Sequence, residues 1–201
     1  MTAPLTRARR QLTPADLLPL NDYARARPQL RREITELKKR RLVEIGPFAT
    51  FHFENFDTMR SQVQEMLHIE KGGEPQLADE LTAYNPLIPQ GSELVATVMF
   101  EIDEPQRRTR MLRQLGGIEN CAFIEVAGRR IRGEPDPTRE NTSPEGKASA
   151  VQFVRFRFAC EAVAAFKKPG ARIVAGFDHP NYAHTAALSE PVRAALAEDF
   201  G

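Results

Sequence analysis

The sequence predicts an α+β protein: a mixed, largely antiparallel sheet with helices packed on it and an N-terminal helical pair. Three observations predict it. Apolar residues recur at helical spacing in some segments and alternate in others. The two kinds of segment interleave along the chain, as in Phe51–Phe53 followed by Met59–Leu67. Several strand-like runs are separated only by short glycine turns, such as Gly46-Pro47 and Gly128, which suit antiparallel hairpins.

The elements follow in order. Residues 1–11 read as a flexible tail, and 12–201 as a single domain. Thr13-Pro14 starts a helix that runs to about Ala26 and stops before Pro28. A second helix covers Gln29 to Arg41, with Leu30, Ile34 and Leu37 as its apolar stripe. Leu42–Ile45 and Phe48–Asn55 read as paired strands; in the second, Ala49, Phe51 and Phe53 alternate with Thr50, His52 and Glu54. Asp57 or Thr58 can cap a helix from Met59 to Lys71, ended by Gly72-Gly73. A short helix near Gln76–Ala83 precedes an apolar strand, Leu94–Ile102, and Pro105 opens a helix ended by Gly116-Gly117.

Cys121–Ala127 and Arg129–Gly133 form a hairpin at Gly128. Residues 134–149, rich in Pro, Glu, Thr and Ser, read as a mobile loop. Val151–Phe158 alternates, and its irregularity at Val154 suggests a bulge. A short helix at Glu161–Lys168, a strand at Arg172–Phe177 and a helix capped by Ser189 complete the chain.

Composition bounds the function. With 201 residues, 41% apolar and 27% charged, the chain can bury a core without staples. A net charge of +1 gives no global pull toward nucleic acid or a membrane surface. Two cysteines, Cys121 and Cys160, sit in apolar runs and read as buried thiols of a cytoplasmic protein. No membrane span and no secretory leader are expected. Neither a phosphate-binding P-loop, nor a dinucleotide fingerprint, nor a GxSxG elbow is present in the sequence.

Candidate chemistry gathers in a few places. Glu65 and His68 have the ExxH spacing of carboxylate-bridged metal helices. They fall opposite Met59, Val63, Met66 and Leu67, however, so they read as an exposed polar face. Glu70 falls within that apolar arc, either escaping to water at the helix end or held in a buried ion pair with Arg60 or an arginine elsewhere. His52 and Glu54 share a strand face, about 7 Å apart. With Asp178, His179 and His184 they could ligate zinc or iron; the other reading of Asp178-His179-Pro180 is a structural turn. Glu54, Arg60, Glu70, Asp178 and His179 are the ligand-site candidates. No cofactor is expected unless that zinc or iron centre forms. The basic helix 29–41 reads as a solvated face, with a docking surface for an acidic partner as the alternative; nucleic acid is the least favoured reading, because no aromatics are interleaved for base stacking.

The combination Leu17-Leu18-Pro19-Leu20, Leu37-Lys38-Lys39-Arg40-Arg41, Phe53-Glu54-Asn55, Asp57-Thr58-Met59-Arg60, Gln64-Glu65-Met66-Leu67, Tyr84-Asn85-Pro86-Leu87-Ile88-Pro89 and Asp178-His179-Pro180 resembles an uncharacterised bacterial family, a domain of unknown function of about this length. The resemblance covers nearly all of the chain after Gln11. The family has no established activity, so it transfers no catalytic residue. It implies a gene neighbourhood of rubrerythrin and a cysteine-rich iron–sulfur oxidoreductase, and thus a redox or peroxide-defence setting with one of these as partner. The family more often has arginine where this chain has His68, which weighs against the ExxH reading. The expectation is a non-enzymatic accessory protein; the alternative is a metal-binding protein or metalloenzyme.

Overall fold

A computed structural model describes residues 9–201. Among these residues, eight strands form one sheet: β1 (Leu42–Ile45), β2 (Ala49–Phe53), β3 (Glu93–Phe100), β4 (Ala122–Val126), β5 (Arg129–Pro135), β6 (Val151–Arg157), β7 (Ile173–Phe177) and β8 (Thr185–Ala187). Their order is β1-β2-β3-β6-β5-β4-β7-β8, and every pairing between them is antiparallel. The expected mixed character is therefore corrected. The helical crossovers β3 to β4 and β6 to β7 link strands that are not neighbours, so they create no parallel pair.

The sheet curls until its ends nearly meet, with β1 against β7 and β8. Inward rows fill the curl. Ala49, Phe51 and Phe53 point inside as their alternation predicts, and Phe51 meets Phe177 of β7 at 5.1 Å between ring centroids. Tyr182 closes the seam: its hydroxyl donates to Ile45 O at 2.6 Å and accepts the Phe48 and Ala49 N–H groups, each at 3.0 Å. The expected bulge at Val154 does not occur, because β6 keeps unbroken register with β3. The irregularity is instead Gln152, a polar residue in the inward row, fully buried, whose amide donates to Asn141 O at 3.3 Å.

Among the described residues, six helices surround this sheet: α1 (Leu20–Lys39), α2 (Phe56–Glu70), α3 (Gly73–Tyr84), α4 (Pro105–Gln114), α5 (Cys160–Lys167) and α6 (Glu190–Ala197). The N-terminal pair is not seen. Thr13-Pro14 makes only a one-turn 3-10 segment, and α1 runs unbroken through Pro28. Proline there removes one helical hydrogen bond. It sits on the exposed side of α1, where water can take the orphaned carbonyl. Asn55, not Asp57 or Thr58, caps α2: its side chain accepts the Thr58 N–H at 3.0 Å while Thr58 Oγ1 accepts the Asn55 N–H at 2.9 Å. Lys71, in the left-handed region at φ 56°, ends α2, and Gly73 already begins α3.

Met59 and Val63 of α2 join Leu12, Leu87, Ile88 and the outward-facing Val95 in a second apolar core on the outside of the sheet. Segment 134–149 carries tertiary ties. Thr142 accepts the Gly117 N–H at 3.0 Å and donates to Glu119 at 2.8 Å, and the buried Ala148 donates its N–H to Leu112 O at 2.9 Å. Of the expected tail, residues 1–8 lie outside the described residues, while Arg9 lies over the Phe56 ring and Arg10 donates to Pro89 O at 3.0 Å. The two cysteines are not buried as expected: Cys160 is exposed and Cys121 half-buried. Among the described residues, no helix is long and apolar enough to cross a membrane.

Candidate functional site

The residues flagged by sequence do not meet in one site. Glu54 is buried and accepts from Thr97 Oγ1 at 2.7 Å. His52 stands opposite Thr97 on the outer face of β2, half-buried, its Nε2 without a partner among the described residues; burial lowers its pKa. Asp178 is bound by Arg132 and Arg130 of β5, with Arg132 Nη2 at 2.6 Å, and the Arg132 hydrogen bond holds its carboxyl below the usual range. His179 is buried, its Nδ1 accepting the Asn181 N–H at 3.1 Å, which leaves Nε2–H to donate to Gly116 O at 3.2 Å. His184 lies edge-on to Tyr182 at 4.6 Å. Among the described residues no three His, Cys, Asp or Glu side chains are grouped to hold a metal ion.

Glu70 is exposed and accepts from Gln76 at 3.0 Å, so it is not the buried partner of Arg60. Arg60 pairs with Asp57 at 3.1 Å and lies over the Phe56 ring. Asp178 belongs to a lattice of ion pairs on the outside of the sheet. Arg130 also meets Glu125, and Arg155 and Arg157 converge on the buried Glu93. Such pairs fix which strand faces water and hold its long side chains down.

Glu65 and His68 require a correction. They do not face solvent; they face α1. Glu65 accepts from the Tyr23 hydroxyl at 2.5 Å and from Arg27 through two bonds of 2.9 and 2.8 Å. His68 lies edge-on to the Tyr23 ring at 5.6 Å. One turn away, Gln64 clamps the Leu18 backbone from both sides, accepting its N–H at 2.8 Å and donating to its carbonyl at 3.1 Å. The Arg27 hydrogen bonds hold the Glu65 carboxyl down to about 2, and burial with the same carboxylate pushes Tyr23 up to about 12.

This clamp has a pH signature. Glu65 ionises more readily in the fold than in the unfolded chain. Its stabilisation is therefore full above about pH 4.5 and lost as pH falls toward 2. Replacing Glu65 with Gln is expected to cost about 1–2 kcal/mol at pH 7, as loss of charged hydrogen bonds at a partly exposed site. Urea midpoints of the two proteins should converge as pH falls from 4.5 to 2.

Beyond the clamp, α1 and α2 separate into a trough of ≈ 370 Å³. Leu30, Glu33, Ile34 and Leu37 line the α1 side; Asp57, Arg60, Ser61 and Gln64 line the α2 side. A second cavity of ≈ 340 Å³ shares Asp57 and Arg60 and continues to Arg9, Arg10 and Asp199. The outer face of α1 is basic, with Arg31, Arg32, Lys38, Lys39 and Arg40 all exposed. Arg41, the last residue of the basic run, does not belong to it. It is buried and ion-paired with Asp199, and donates to Phe53 O at 2.9 Å and Glu54 O at 3.1 Å.

Sequence reasoning missed the clamp, although a signal existed. Tyr23, Arg27, Leu30, Ile34 and Leu37 step by 4, 3, 4 and 3 along one continuous helix, the spacing of a helix–helix seam. Reading Pro28 as a helix break divides that seam in two.

The same fold occurs elsewhere. A crystal structure of a novel protein of unknown function from Burkholderia pseudomallei K96243 is similar over 95% of this chain and 100% of that one, with 38% identity and a TM-score of 0.88. None of the curated proteins matches the chain. A family model for a protein of unknown function, DUF3501, matches residues 11–200, and the chain therefore belongs to the DUF3501 family.

Proposed function

We propose that the chain is a non-enzymatic accessory protein of a cytoplasmic redox or peroxide-defence system, and that it docks through α1 on rubrerythrin or a cysteine-rich iron–sulfur oxidoreductase. The observation that carries the reading is the exposed basic face of α1 beside an open, partly apolar trough. Among the described residues the ion pairs of α1 are Arg25–Asp22, Arg27–Glu65 and Lys39–Glu36, which leaves Arg31, Arg32, Lys38 and Arg40 outside them. Basic groups so placed steer an acidic surface toward the helix and lose strength as salt is added. The flagged polar residues of the sheet support the non-enzymatic part, since Glu54, Asp178 and His179 are each spent on holding the fold.

The test is a pull-down with purified rubrerythrin and, separately, the iron–sulfur oxidoreductase. Retention of either, weakened by salt and lost on replacing Arg31, Lys38, Lys39 and Arg40 with Glu, is the expected result. Arg41 must be spared, because its charge is part of the core. Retention of neither partner would sink the reading.

A further inference from the structure

We infer that the docking segment of the partner is an amphipathic helix with one acidic flank, laid along the α1–α2 trough with its apolar side chains on Leu30, Ile34 and Leu37. This rests on the docking reading above and specifies what enters the site.

The seam of α1 has two halves with different fates. Tyr23 and Arg27 are covered by Glu65 and His68 of α2. Leu30, Ile34 and Leu37 continue the same seam but remain half-exposed and join neither apolar core. What faces them across the trough is Asp57, Arg60, Ser61 and Gln64. Aliphatic side chains gain little from a polar wall, and closing the gap would strip water from Arg60 and Asp57. A third element fits better, one with an apolar edge for α1 and polar atoms for α2. The three aliphatic positions span two turns, about 10 Å, which is the length over which a helix presents its i, i+3 or i+4, and i+7 anchors. The trough takes the side chains of such a helix while its backbone lies outside.

Charge selects the sign of the occupant. Asp16 at the trough end is held by Thr13 and Arg9, and Asp57 is held by Arg60. On the helical wheel Arg31 and Lys38 flank one side of the aliphatic stripe and Glu33 the other. Among the described residues neither Arg31 nor Lys38 is in an ion pair of α1. A partner helix meets this surface best with carboxylates on the flank that faces Arg31 and Lys38 and none on the flank that faces Glu33.

The protein contains no tryptophan, so a single Trp in a synthetic peptide reports binding directly. The probe is a capped helical peptide of about 18 residues, long enough to populate a helix, with Leu at seam positions, one Trp among them, Glu on the flank that meets Arg31 and Lys38 and Gln on the other. Its counterpart carries Lys in place of Glu. The acidic peptide should bind at least about tenfold more tightly than the basic one, a difference of about 1.4 kcal/mol. Ile34→Glu should abolish binding, and Ile34→Ala, which cannot be blamed on a buried charge, should weaken it by about tenfold. Replacing Arg31 and Lys38 with Glu should reverse the preference between the peptides. Equal affinity for both peptides, or binding indifferent to Ile34, would overturn the inference. If the pull-down succeeds and survives Ile34→Glu, the partner docks elsewhere on α1 and only this inference falls. If the acidic peptide binds as described while neither redox protein is retained, the trough assignment stands and the choice of partner falls.

Discussion

Replacing Asp199 with Ala should cost about 3–5 kcal/mol of folding stability, because it leaves the Arg41 guanidinium buried without its counter-ion. Arg41 is 4% exposed and Asp199 8%. The arginine also donates to three backbone carbonyls, Phe53 O, Glu54 O and Ala195 O, so it fastens the end of β2 to α6. A paired replacement, Arg41→Met with Asp199→Leu, should recover only part of the loss. It removes the lone charge but orphans those carbonyls. Urea unfolding of the three proteins checks this directly. If Asp199→Ala cost less than about 1 kcal/mol, the ion pair would be solvated and peripheral.

The same carboxylate should make stability depend on pH in a window of its own. Burial outweighs the neighbouring guanidinium and raises the Asp199 pKa from 3.8 to about 6. A raised pKa means that the folded state holds the proton more tightly than the unfolded chain does. The contribution is then fully present below about pH 4 and lost as pH rises through 6. Glu65 acts in the opposite sense and at lower pH, between 4.5 and 2. Asp199→Asn should flatten the stability curve between pH 4 and 6 and leave the Glu65 limb below 4.5 in place.

What the sequence made legible was whatever depends on neighbours along the chain. The alternation in β2 identified its inward face, and the wheel of α2 identified Met59 and Val63 as core. The positions that misled are those where a distant partner overrides the local rule. Pro28 reads as a helix stop, yet α1 continues through it, fastened to α2 on its N-terminal side by Tyr23 and Arg27. Glu65 and His68 read as surface because nothing local announces that a second helix lies over them. Arg41 looks like the fourth member of a basic run, and its partner stands near the opposite end of the chain. Asp178 and His179 look like metal ligands by type, but the arginines of β5 and the carbonyl of Gly116 already occupy them. The trough shows both sides of this. Its aliphatic stripe was readable as Leu30, Ile34 and Leu37; its polar opposite wall required the fold.

Replacing Phe51 with Ala should be the most damaging single truncation inside the sheet, costing about 3–5 kcal/mol. Phe51 has no exposed surface. Its ring stands 5.1 Å from Phe177, 6.0 Å from Phe156 and 6.1 Å from Phe53, so one side chain bridges β2, β6 and β7 across the interior. These neighbours are anchored in antiparallel ladders and cannot collapse into the space, which is the condition under which the cavity penalty adds to the lost transfer energy. Phe51→Leu keeps most of the volume and should cost about 1–2 kcal/mol. The seam nearby makes the consequence structural as well as energetic. Tyr182 closes the sheet by binding the β1–β2 turn, and its ring sits 6.0 Å from Phe177. Loss of Phe51 should therefore loosen the closure first, seen as faster amide exchange at Phe48 and Ala49 than across the β3–β6 ladder. Exchange that rose equally in both places would mean that the cavity destabilises the fold only globally, and that the closure is no weaker than the rest of the sheet.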